Sequence, residues 1–149
     1  RCIERYINYD LDEFFEIPEA LGANKAPLTA RSFYLQSKIK KKMIEVFPRL
    51  SIWRMGNQFK LSKNHLRNYR HSIHGVECRT LFLEAMVKQD LLFIYEQDMN
   101  KLIDNPHAFD SLICALTAYL KYFGQCEEPP KNFPASTGWI FFPSFDFNF

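Results

Sequence analysis

Glycine is scarce in this chain, with five in 149 residues, and the four cysteines are widely spaced. There is no internal repeat and no low-complexity tract, which together exclude a collagenous or disordered chain. Cys2, Cys78, Cys114 and Cys126 lack the density of a disulfide scaffold and suit a reduced, intracellular, cytoplasmic protein. No apolar run reaches membrane-spanning length, and the opening Arg-Cys-Ile-Glu-Arg-Tyr is no signal peptide, so no membrane role is expected. A dominant charge is missing too. The net charge is +2, so contact with nucleic acid has to rest on basic residues gathered on one face. The first residue is arginine and not methionine, and a processed or truncated piece is expected.

What the chain does have is aromatic weight, fifteen Phe among a 16% aromatic content, and length enough for one domain over residues 1–149. Helical spacing predicts helices over 30–41, 62–69, 76–88, 91–103 and 106–123. In the first, Thr29 is the N-cap and Phe33, Leu35 and Ile39 are candidate core positions; in the last, Asn105 is a good N-cap. Residues 10–16 read as a short polar-aromatic segment, 22–27 as a loop and 51–60 as irregular or weakly extended. Met43 to Phe47, stopped by Pro48, reads as a short buried strand, and Gly138 to Phe142, stopped by Pro143, as another. Residues 124–136, with Pro129, Pro130 and Pro134, form a linker to that terminal strand. Two apolar strands cannot bury one another, so partner strands are expected from a missing N-terminal half or from a homodimer partner.

Two acids stand out. Asp110 lies near the mouth of an apolar helix with His107 three positions earlier, so both side chains can converge on one point. A divalent cation there would explain both, although Asp110 could simply favour the positive end of the helix dipole. Glu45 sits amid Met43-Ile44-Glu45-Val46-Phe47, where a buried acid binds metal, pairs with a base or titrates abnormally. It could instead face outward on an edge strand. The basic run Lys38, Lys40, Lys41 and Lys42, with Lys60, Lys63, Arg67 and Arg70, offers either a phosphate-tracking surface or an ordinary solvated face. His71, His74 and Cys78, with His65 nearby, lack the paired spacing of a structural zinc site.

The succession Ile44-Glu45-Val46-Phe47-Pro48, Phe59-Lys60, His107-x-x-Asp110 leading into Leu112 to Ala118, and Gly138-Trp-Ile-Phe-Phe-Pro143 resembles the predicted-nuclease family catalogued as domain of unknown function 429. Arg1-Cys2-x-Glu4 looks like a further element of that family. The resemblance implies an α/β, RNase H-like fold whose N-terminal strands are absent here, leaving a helix-rich chain with few short strands. It implies a metal-dependent nuclease or phosphodiesterase acting on DNA or RNA with Mg²⁺ or Mn²⁺. Glu45 and Asp110 would be the metal ligands, and His107 a ligand or proton shuttle. Lys60 loosely matches a family lysine. Small residues Ser111, Cys114, Ala115 and Ala118 would let the last helix lie close to a sheet. Thr137 stands where the family usually has Glu, and with half the carboxylates absent this piece is expected to be weak or inactive. The rival is a non-catalytic RNase H-like scaffold or interaction module, with Phe145 to Phe149 as contact surface or as core.

Overall fold

The computed structural model describes residues 2–10, 25–134, 136 and 138–149. The expectations for 10–16 and for most of 22–27 therefore fall largely outside the described residues. The architecture is a helix-rich α/β arrangement whose two short strands pair in a parallel sheet. Two compact units are present, Arg1–Glu45 with Pro129–Ile140, and Val46–Glu128 with Phe141–Phe149.

In the first unit, α1 (Cys2–Arg5) runs into a π-helical turn, Tyr6–Asp10. Ile3, Glu4 and Ile7 are buried. The Tyr6 ring lies 5.5 Å from Trp139 and 6.4 Å from Phe133, giving this unit an aromatic centre. The helix expected over 30–41 is α2 (Ala26–Lys38), and it starts earlier because Pro27 fits the first turn, where its missing N–H costs no bond. Thr29 does not cap it; its hydroxyl donates back to the Lys25 carbonyl at 3.2 Å. The expected core positions Phe33, Leu35 and Ile39 are all exposed, since α2 buries no residue.

The strand expected over 43–47 contracts to β1 (Glu45–Val46), with Glu45 exposed and Val46 half-buried, so the acid stands at the surface and not within a buried strand. β2 (Ile140–Phe141) is likewise two residues long, and Ile140 is buried.

The second unit is helical. Pro48, expected to stop a strand, instead opens α3 (Pro48–Gln58), where the sequence reading had irregular chain. Every side chain from Leu50 to Met55 is buried, so the helix has no polar stripe to betray its period. Arg54 is tolerated inside because its guanidinium lies 3.5 Å from the Phe145 ring centre and 3.5 Å from a Glu127 carboxylate oxygen.

Helix α3 ends in a left-handed turn at Lys60 (φ 59°), with Leu61 N–H bonded to the Gly56 carbonyl at 2.9 Å. Lysine is a poor residue for that conformation and glycine a good one. Lys60→Gly is accordingly expected to raise stability by about 1 kcal/mol, measured as a higher urea midpoint.

The remaining helices are α4 (Lys63–Asn68), capped by Ser62, α5 (His74–Lys88), α6 (Glu96–Asp104) and α7 (Pro106–Tyr122). Leu66, Phe82, Leu83, Phe109, Ile113 and Leu120 form the heart of this unit. Because these large side chains define the inner face of α7, Ser111, Ala115 and Ala118 are exposed and do not lie against a sheet. Part of the expected linker is pinned: Cys126 is buried and bridges to Pro143, and Glu127 N–H donates to the Phe142 carbonyl at 3.0 Å. The aromatic tail divides. Phe147 is buried and Phe149 stacks on Phe59, whereas Phe145 is largely exposed.

Candidate functional site

Asn105 caps α7 through its side-chain oxygen, which accepts from the N–H groups of His107 (2.9 Å) and Ala108 (3.3 Å). With the first turn fixed in this way, His107 and Asp110 project from the same face of α7. Both meet the guanidinium of Arg70, just beyond the end of α4. Arg70 Nη2 lies 3.4 Å from Asp110 Oδ2 and 3.4 Å from His107 Nδ1. The other oxygen of Asp110 accepts from the Tyr69 hydroxyl at 2.7 Å. The Asp110 side chain is 17% exposed and that of Arg70 48%. The cluster is therefore a surface guanidinium closing over a sheltered carboxylate.

Tyr69 is buried, with its ring 5.9 Å from Phe109. Burial first, and then the adjacent Asp110 charge, push its pKa up, so the phenol stays protonated and remains a donor. Beneath it lies Arg79, completely buried on α5. Its Nε donates to the Ile103 carbonyl at 2.6 Å, in the last turn of α6, and its Nη1 donates to the Tyr69 carbonyl at the end of α4. A cation at two helix C-termini is well placed for both dipoles. Burial lowers its pKa, and Asp104 and Asp110 are among the charges that oppose the shift. Gly75 makes room for this arrangement: a Cβ there would press on the Tyr69 carbonyl oxygen and on the Arg79 guanidinium.

The other expected residues are placed as follows. Lys60, Lys63 and Arg67 are exposed, the latter two on α4. Glu45 belongs to the first unit and Asp110 to the second. His71 Nδ1 accepts from the Ile73 and His74 N–H groups, each at 3.2 Å, while Cys78 is buried, so these residues do not assemble as zinc ligands. Among the described residues no group of three His, Cys, Asp or Glu side chains could hold a metal. Burial pushes the thiols of Cys78 and Cys126 up to about 12, which removes them as nucleophiles near neutrality.

A model of the family described as protein of unknown function (DUF429) matches residues 13–135. The chain belongs to this family. No curated protein and no solved structure matches it. The family description assigns no activity, so chemistry has to be argued from the cluster itself. Tyr69 and Arg79 are the members that sequence reasoning missed. Arg79 carried a signal: it is a cation three and four positions before Phe82 and Leu83, on the face that those residues bury. No helix among the described residues is long and apolar enough to cross a membrane.

Proposed function

We propose that this DUF429 chain works on phosphodiester bonds of nucleic acid, as a nuclease of RNase H-like architecture with Asp110 as its acid. The supporting observation is the make-up of the cluster. One guanidinium nitrogen of Arg70 meets both the Asp110 carboxylate and the His107 ring, while Arg79 lies buried beneath with Asp104 and Asp110 as its counter-charges. Arg70 is its accessible member, and a guanidinium fork suits phosphate oxygens. Phosphate engaging Arg70 would compete with Asp110 and free that carboxylate, still oriented by Tyr69. His107, exposed beside it, supplies an imidazole that could pass a proton to or from the reacting group. Lys63 and Arg67, on the exposed side of α4, would flank the strand.

A Mg²⁺ or Mn²⁺ ion is not accommodated by these residues alone. Hard cations take several oxygen ligands, whereas here one carboxylate faces Tyr69 and Arg70 with both its oxygens. The same Arg70–Asp110 pair favours the rival reading, a non-catalytic scaffold in which the acid serves structure.

Incubation with labelled DNA and RNA strands in Mn²⁺, Mg²⁺ or EDTA separates the two. Weak cleavage is expected in at least one metal and is lost in Asp110→Asn, with thermal stability nearly unchanged because the amide oxygen still accepts from Tyr69. An unaltered rate in that variant, or no cleavage under any condition, selects the scaffold.

A further inference from the structure

Between Ala20 and Ile44 the sequence holds no Asp or Glu, yet it holds Lys25, Arg31, Lys38, Lys40, Lys41 and Lys42. The structure adds that every side chain from Ala30 to Met43 is exposed, including Phe33 (61%), Tyr34 (63%) and Leu35 (52%). Isolated helices of this length are marginal in water and normally owe their stability to packing. Helix α2 buries nothing, so neither its aromatic rings nor its charges are explained by a core. We infer that α2 and the segment through Met43 form a docking surface for single-stranded nucleic acid.

Charge complementarity favours a polyanion, because the six cations have no acid among them within this stretch, and such a local run attracts a phosphate backbone. The arrangement of the apolar groups then chooses among polyanions. An interfacial membrane helix gathers its apolar side chains on one face. Here Leu28, Leu35 and Ile39 share a face, while Phe33 and Tyr34 point away from it in two other directions, as 100° steps dictate. No single face could lie flat in lipid. Rings presented in different directions among lysines suit bases that stack singly along a flexible strand. Lys38 already lies over the Tyr34 ring, its Nζ 5.5 Å from the centroid, leaving the other ring face for a base. The inference extends the phosphodiester reading and rests on it for the identity of the polymer.

The test is fluorescence anisotropy of labelled oligo-dT with the full chain, in EDTA, so that binding is read without cleavage and survives a failure of the hydrolase reading. Replacing Lys38, Lys40, Lys41 and Lys42 together by Gln is expected to weaken binding at least tenfold or so and to flatten the salt dependence by roughly 2–3 in log–log slope. The matching Lys→Arg variant should bind like the parent. Phe33→Ser with Tyr34→Ser should lose about tenfold while keeping the salt slope. All these side chains are exposed, and circular dichroism would verify the fold. Unchanged affinity in either the Gln or the Ser variant overturns the inference. So does a chain that ignores oligo-dT but binds phosphatidylserine vesicles.

Discussion

Arg79→Ala is expected to lose roughly 3–5 kcal/mol of folding stability. The guanidinium is fully buried and donates to two carbonyls, Ile103 O and Tyr69 O, that close α6 and α4. Removing it strands both acceptors away from water, leaves a void on α5, and withdraws a cation from two helix C-termini. Lysine should not rescue the loss, because a single ammonium cannot reach both carbonyls in the fork geometry that arginine supplies. Urea unfolding measures the effect, and a cost below about 1 kcal/mol would contradict this account. Tyr69 hangs on one of those carbonyls, so the same variant should loosen the hold on Asp110.

The second large effect is alkaline unfolding. Burial holds the Cys78 and Cys126 thiols protonated up to about 12, against 9.0 for a free thiol. From about pH 9 upward the unfolded chain releases these protons while the folded chain keeps them. The unfolded state then binds fewer protons, so stability is complete below about pH 9 and falls as pH rises towards 12. Tyr69 adds to the fall from about pH 10 upward, since burial and the Asp110 charge raise its pKa above the 10.0 of a free phenol. Urea midpoints recorded from about pH 8 to about pH 11 should decline steadily, and Cys78→Ala should flatten the decline. A profile with no slope over that range would refute it.

How much could be read in advance depended on whether local chemistry or tertiary context decided the outcome. Helix α7 was legible because Asn105 and Pro106 announce its start and its apolar residues recur with helical period. Helix α4 was legible as a basic helical run over 62–69, though its cap at Ser62 came only with the structure. Helix α3 was not, because a helix buried all round from Leu50 to Met55 has no stripe, and Pro48 reads equally as a strand stop or a helix first turn. Phe33, Leu35 and Ile39 read as core positions because apolar residues usually are, but α2 buries none of its residues. At the site, the spacing of His107 and Asp110 announced a shared focus, but not that Arg70 would supply it. That partner lies 37 and 40 positions away, beyond the reach of any local rule.

The end of the chain also bears on how experiments on this protein are designed. Phe147 is buried, Gln58 donates to its carbonyl at 2.8 Å, and Phe149 stacks on Phe59. A deletion series that trims these residues in search of a partner-binding tail would pull a plug from the helical unit. Loss of function in such truncations would then report collapse of the interior, and even at the outward-facing Phe145 a change that keeps a ring over Arg54 is the cleaner probe of recognition.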